Sequence, residues 1–315
     1  MSERRSKPTY LYGPVPSRRL GYSLGVDILP FKTCSLDCVY CQLGAEPKTT
    51  VRRAEFVPAR AVLAQVRKAV ASGQRIDAIT FSGSGEPTLN SGIGTIIRGI
   101  KRSTRIPVVV LTNSSCLASP GVRRDLRQAD IVVPSLDAAD EAVFRKVNRP
   151  HAGLTAAKIV AGLAAFRREF QGQIWLEIML VRGVNDGPRH LQKLKAAAAL
   201  IRPDRIQLNT VVRPPAVKSA RPLGPAEMEK IRKVFGESAE IIADFNATAR
   251  PGAPAAVDAE AAVLAVVGRR PVTTRDLALS LGGSVEEVGD LLEGLGSAGK
   301  IRAVVHHKKV YWEKV

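Results

Sequence analysis

Two kinds of apolar run alternate along residues 22–236: short β-branched stretches and longer amphipathic ones. The short runs are nearly continuously apolar, which is typical of parallel strands covered on both faces. They predict strands at residues 23–29, 77–82, 107–112, 130–136, 174–181 and 204–210. The amphipathic runs predict helices at residues 58–71, 93–101, 121–128, 154–169, 189–200 and 225–235. Six alternating strand–helix units predict an α/β fold with a parallel sheet and right-handed crossovers.

The pattern changes after a small, proline-rich stretch at residues 249–256, which predicts a linker. Beyond it, helices are expected at 257–267, 273–281 and 284–295, the last two opened by capping-box spacings. Strands are expected at 301–305 and 309–312. The predicted domains are therefore a core at 1–248, the linker, and a winged-helix-like domain at 257–315. The third helix is acidic, whereas the wing, formed by the two predicted strands and the residues between them, is basic. Nucleic-acid contact, protein docking and a structural role therefore all stay open for this domain.

Charge adds one hint about partners. The chain has 47 Lys and Arg against 29 Asp and Glu, a formal net charge of +18. Such a surplus favours an anionic partner such as RNA, although it is spread along the chain and also fits an arginine-rich proteome. No apolar leader or membrane-spanning run is visible, and the few cysteines suit a reducing compartment. We therefore expect a cytoplasmic protein with no membrane partner.

Three of the four cysteines, Cys34, Cys38 and Cys41, fall within eight residues directly after the first predicted strand. A loop in that position lies at the C-terminal mouth of a parallel barrel, where barrel enzymes keep their active sites. Soft thiolates select iron–sulfur clusters or zinc, and three of them leave one position of a four-iron cluster open. A partial zinc site and unrelated buried thiols are the alternatives. Cys116 lies far downstream and is not needed as a ligand.

The spacing Cys-x3-Cys-x2-Cys, with Tyr40 before the last cysteine, closely resembles the radical SAM superfamily over about residues 10–245. The resemblance implies a partial (β/α)6 TIM-like barrel whose three thiolates hold a [4Fe-4S] cluster. It implies that S-adenosylmethionine (SAM) binds the open iron and is cleaved reductively to a 5′-deoxyadenosyl radical. It also implies an electron donor such as flavodoxin or ferredoxin.

A second motif follows the second predicted strand. Its residues are Ser82, Gly83, Ser84, Gly85 and Glu86, followed by Pro-Thr. It is similar to the family's glycine-rich segment ending in Glu-Pro, with Gly-Ser-Gly-Glu where many members have Gly-Gly-Glu. Glycines there let the backbone approach a ligand closely. The resemblance implies that this segment contacts the SAM amino group.

Polar residues at the ends of later strands extend this set. By resemblance, Asn113 at the end of the third predicted strand is expected to bind the cofactor. Ser135, with Asp137 as the second choice, is expected to contact the SAM carboxylate or ribose, with helix capping as the alternative. Glu177 lies inside an apolar strand, so it is expected to point into the barrel, either lining a substrate cavity or forming a buried ion pair. Gln207 and Asn209 share one strand face and are expected to line the same cavity, with ordinary hydrogen bonding as the alternative.

Three functions are compatible with these features. The leading hypothesis is a radical SAM oxidoreductase or transferase that modifies RNA, since the segment before the first strand resembles iron–sulfur oxidoreductases related to wyosine-tRNA synthetases. The second is modification of a peptide or protein, although no second cysteine cluster is present for auxiliary clusters. The third, from another class, is an iron–sulfur redox sensor that binds DNA, which would need no SAM motif.

Overall fold

The computed structural model describes residues 8–45, 48–243 and 259–315. The strands of the core are β1 Leu11–Ser17, β2 Gly21–Val26, β3 Ala78–Phe81, β4 Val108–Thr112, β5 Ile131–Pro134, β6 Gln173–Leu180, β7 Arg205–Thr210 and β8 Ala239–Ile241. Its helices are α1 Ala59–Ala71, α2 Ile93–Ser103, α3 Pro120–Leu126, α4 Glu141–Asn148, α5 Ala156–Glu169, α6 Pro188–Ile201 and α7 Pro225–Phe235. The predicted linker and the predicted domain boundary at residue 248 lie outside the described residues.

All eight strands form one sheet in chain order, from β1 to β8. Strands β2 to β8 run parallel, and β1 pairs antiparallel with β2. The predicted α/β architecture with a partial barrel is confirmed, with β1 and β8 as its two edges. Arg18 spans the open side between these edges, because its Nη1 donates to the carbonyl oxygen of Ile242 at 3.1 Å.

Helices cover the outer face of the sheet with apolar stripes. In α2, Ile93, Ile96, Ile97 and Ile100 recur at helical spacing and are all fully buried. Burying one such side chain contributes about 1.5–3 kcal/mol to folding. Phe81 on β3 is fully buried in the same core. This packing holds the carboxyl ends of the strands in fixed positions.

Three core elements were missing from the sequence prediction. Strand β1 contains Pro14 and Pro16, which break a strand pattern but are tolerated at a sheet edge where no ladder partner needs their N–H. Helix α4 is only eight residues long, capped by Asp140 and ended by Arg149 in a left-handed conformation. Strand β8 has three residues. The alternation is therefore not strict, because two helices follow β5.

Residues 259–315 form what we call the C-terminal unit. It comprises α8 Ala259–Val267, α9 Thr274–Leu281, α10 Val285–Ser297, β9 Ile301–His306 and β10 Lys309–Lys314. Both predicted capping boxes are present, at Thr273 and Ser284. The apolar core of the unit continues into β1 through Tyr12 and Val15. The element order agrees with the prediction, and the winged-helix assignment stays a prediction.

None of the helices in the described part of the chain is long and apolar enough to cross a bilayer.

Candidate active site

The loops after β2, β3, β4 and β5 bring the predicted site residues to one edge of the sheet. Cys34, Cys38, Tyr40 and Cys41 follow β2, and the Gly-Ser-Gly-Glu segment follows β3. Asn113 follows β4, while Ser135 and Asp137 follow β5. Because these strands are parallel neighbours, their carboxyl ends lie side by side. The structure thus brings together residues separated by up to about a hundred positions.

Each cysteine sulfur of the loop accepts from a side-chain nitrogen. Asn113 Nδ2 donates to Cys34 Sγ at 3.4 Å, and Asn148 Nδ2 donates to Cys38 Sγ at 3.3 Å. Lys32 Nζ donates to Cys41 Sγ at 3.6 Å. Hydrogen bonds to sulfur tune iron–sulfur clusters and orient their ligands. The surroundings of the three thiols therefore fit a [4Fe-4S] cluster.

Two of these thiols are protonated in the absence of a metal because they are buried. Burial is the main cause that raises the pKa of Cys34 to about 12, and burial raises the pKa of Cys38 well above its ordinary value. Such thiols lose their protons when a metal cation neutralises the thiolates. No three His, Cys, Asp or Glu side chains among the described residues form a group that would hold a single metal ion. Cysteines that bind different irons of one cluster stand farther apart than ligands of one ion.

The Gly-Ser-Gly-Glu segment lies against the cysteine loop. Gly85 forms a parallel bridge with Thr33, and the amide of Glu86 donates to the Thr33 carbonyl at 3.0 Å. A Cβ added at Gly85 would stand 1.8 Å from that carbonyl oxygen, so only glycine allows this approach. The two motifs recognised in the sequence are therefore in direct backbone contact.

Glu86 is buried and organises the end of β4. Its carboxylate accepts from the Asn113 amide at 2.6 Å and from Thr112 Oγ1 at 2.7 Å. It also accepts from the amide and hydroxyl of Thr88. Burial raises its pKa, although these four donors work in the opposite direction. The observed partners of Glu86 are thus protein groups, and its contact with SAM stays a prediction.

Asp137 joins the cysteine loop to β6. It accepts a short hydrogen bond from the Tyr40 hydroxyl, one from Asn148 Nδ2 at 2.7 Å and one from the Met179 amide at 2.9 Å. Burial raises its pKa to about 6. Ser135 is half-buried beside it, and its carbonyl accepts from Ser114 Oγ at 2.7 Å. Asp137 thereby fixes the aromatic ring that precedes Cys41.

The three residues predicted for the substrate cavity share one network inside the barrel. Arg19 Nη1 lies 2.7 Å from Glu177 Oε2 and 2.7 Å from Gln207 Oε1. Asn209 Nδ2 donates to Glu177 Oε1 at 2.9 Å. Burial opposes ionisation of Glu177, but Arg19 holds the pKa of Glu177 below its ordinary value. Of the two predicted roles for Glu177, the structure contains the buried ion pair.

Sequence reasoning missed Asp27, Asn148 and Arg269 as site residues. Asp27 is buried next to the glycine-rich segment. A single aspartate inside an apolar predicted strand was the one sequence feature that could have indicated its role. Asn148 belongs to α4, which was not predicted, and Arg269 lies 242 positions from its partner Asp27. Cys116, after β4, is half-buried beside Ser115.

Comparisons with known proteins agree with this geometry. A family model described as the radical SAM superfamily matches residues 28–194, more than half of the chain. The GTPase Obg of Brachyspira hyodysenteriae is 36% identical over 302 residues, covering 96% of this chain and 44% of that protein. The UPF0026 protein MJ1312 of Methanocaldococcus jannaschii is 36% identical over 231 residues, covering 73% of this chain and 72% of that protein. The chain thus spans less than half the length of the first relative and about three quarters of the second.

Solved structures extend the agreement to the fold. A radical SAM methyltransferase from Sphaerobacter thermophilus superposes with a TM-score of 0.51 at 18% identity. The superposition covers 71% of this chain and 67% of that one. At this identity the likeness concerns the fold alone.

Proposed function

The chain belongs to the radical SAM superfamily, and from that premise we propose that it is an enzyme that modifies RNA. The cofactors of the family are a [4Fe-4S] cluster and SAM, which together supply hydrogen-atom abstraction from a substrate carbon. In this chain, Cys34, Cys38 and Cys41 would hold the cluster, and the segment from Ser82 to Glu86 would approach SAM. The remaining question is which substrate reaches them.

The observation that carries the RNA proposal is a large cavity at the open side of the barrel. It has a volume of about 1310 Å³ and lies between the end of β1, the end of β8 and the C-terminal unit. Small-molecule pockets usually measure about 300–1,000 Å³. The size of this cavity therefore suits part of a macromolecule.

The cavity is strongly basic. Seven of its lining residues are Arg or Lys and two are acidic, Glu240 and Asp276. In the part of the chain that the structure describes, Arg18, Arg213, Arg275 and Lys309 form no ion pair. Loss of bulk water and the neighbouring Arg213 guanidinium lower the pKa of Arg18 to about 9. Phosphate groups would relieve this repulsion between like charges.

One residue of the cavity wall contacts the cysteine loop. Arg213 Nη1 donates to Gln42 Oε1 at 3.4 Å, and Gln42 directly follows Cys41. Proteins that bind RNA commonly hold its phosphate backbone with such cations. An RNA loop in the cavity would therefore have its phosphates on the arginines, and Arg213 would connect it to the cysteine loop.

The test is binding of bulk tRNA by filter retention across a salt series. We expect the affinity to fall steeply with salt, and each of Arg213→Gln and Arg275→Gln to reduce the slope of log K against log[salt] by about 0.7–0.9. The matched control is Arg168→Gln, an exposed arginine of α5 outside the cavity, which should leave slope and affinity unchanged.

Two outcomes would count against this proposal. Absent or salt-independent tRNA binding would count against RNA and favour the peptide hypothesis. Equal effects of Arg213→Gln, Arg275→Gln and Arg168→Gln would show that RNA binds outside the cavity.

A further inference from the structure

Asp27, directly after β2, accepts hydrogen bonds from the glycine-rich segment. Its Oδ2 accepts from Ser84 Oγ at 2.6 Å, and its Oδ1 accepts from the Ser84 amide at 3.2 Å. Gly83 lies so close that an added Cβ would stand 2.6 Å from Asp27 Cγ. The conformation of the segment therefore depends on where this buried carboxylate is held.

The C-terminal unit supplies the counter-charge of Asp27. Arg269, two residues after the end of α8, places Nε 2.8 Å from Asp27 Oδ2. Its Nη1 donates to the Ala265 carbonyl at 2.7 Å, and its Nη2 donates to the Thr9 carbonyl at 3.3 Å. The side chains of Arg269 and Asp27 are only 13% and 5% exposed. The arginine fork is thus fixed in one geometry, which a lysine would not reproduce.

A second route joins the same two regions. The Arg269 guanidinium lies over the Tyr12 ring, 5.1 Å from its centre. The Tyr12 hydroxyl is hydrogen-bonded to Ser82 Oγ at 2.6 Å. Arg269 therefore contacts both the residue that binds Ser82 and the residue that binds Ser84.

We propose that Arg269 is a positioning residue through which the C-terminal unit sets the SAM-binding conformation of residues 82–86. The C-terminal unit is then part of the SAM site as well as a wall of the substrate cavity. This inference rests on the assignment of residues 82–86 to SAM, which is part of the proposed function. A substrate that displaces the C-terminal unit would, by the same contacts, alter SAM affinity.

The experiment compares Arg269→Gln, Arg269→Lys and Asp27→Asn with the unmodified chain. Hydrogen–deuterium exchange at residues 82–86, measured without SAM, should rise in all three, least in Arg269→Lys. The SAM dissociation constant of the reconstituted protein should rise about 10-fold for Arg269→Gln. The rate of SAM cleavage should return to the unmodified rate at saturating SAM, because the effect is on binding.

Tyr311→Phe is the matched control. It removes another contact between the C-terminal unit and the core, the 2.9 Å bond from the Tyr311 hydroxyl to the Val212 carbonyl. It should leave exchange at residues 82–86 unchanged.

The positioning role of Arg269 and the assignment of residues 82–86 to SAM are overturned by different outcomes. Unchanged exchange in Arg269→Gln and Asp27→Asn would overturn the inference, as would an equal rise in Tyr311→Phe. If SAM fails to protect residues 82–86 in the unmodified chain, the assignment of that segment falls instead.

Discussion

The Cys38→Ala variant is expected to retain no iron–sulfur cluster and to form no 5′-deoxyadenosine. With Cys38 removed, only Cys34 and Cys41 remain to hold a cluster that needs three protein ligands. Asn148 Nδ2, which donates to Cys38 Sγ at 3.3 Å, would lose that acceptor as well. The measurement is iron content, visible absorbance and product after anaerobic reconstitution.

Cys116→Ala is the control for this variant. Cys116 is half-buried like the three loop cysteines. It differs from them because it follows β4, and its sulfur is hydrogen-bonded to the Ser115 hydroxyl. The Cys116→Ala variant should retain the cluster and still form 5′-deoxyadenosine. Retention of a cluster by Cys38→Ala, or its loss in Cys116→Ala, would contradict the ligand set.

The Glu86→Ala variant is expected to lose about 3 kcal/mol or more of unfolding free energy, since hydrogen bonds to a buried charged group contribute about 1.5–3 kcal/mol each. Four donors, from Thr88, Thr112 and Asn113, would lose their acceptor inside the protein. Urea denaturation followed by circular dichroism measures the change. Glu86→Gln, which keeps the shape and one oxygen acceptor, should lose less.

Glu55→Ala is the matched control, because Glu55 is an exposed carboxylate on the segment before α1. The urea midpoint of the Glu55→Ala variant should stay close to that of the unmodified chain, as for most surface substitutions. A small effect of Glu86→Ala, comparable to that of Glu55→Ala, would mean that Glu86 does not organise the end of β4.

The meeting of the two motifs could be predicted from the sequence because both follow strands of one parallel sheet. Cys34, Cys38 and Cys41 come after β2, and Ser82 to Glu86 come after β3. Continuous apolar runs mark such strands, and parallel order places their carboxyl ends together. Local sequence patterns were therefore enough to predict that the two loops lie together. They did not predict which side chains hydrogen-bond to each other there.

Long-range contacts had no signal in the sequence. Arg269 is one of 47 basic residues, and nothing local distinguishes it from those on the surface. Arg19 lies just before the first predicted strand with no local signal for its partner, yet it pairs with Glu177 inside the barrel. The edge strand β1, hidden by its prolines, joins the C-terminal unit to the core. Predicting such partners requires the packing of the whole chain.

The measurement that tests the central claim most directly is SAM cleavage by the unmodified chain. The protein is loaded anaerobically with iron and sulfide, reduced, and incubated with SAM. We predict 5′-deoxyadenosine and methionine from this sample and none from Cys38→Ala treated in parallel. A fully loaded protein that binds SAM but forms no 5′-deoxyadenosine would contradict the account.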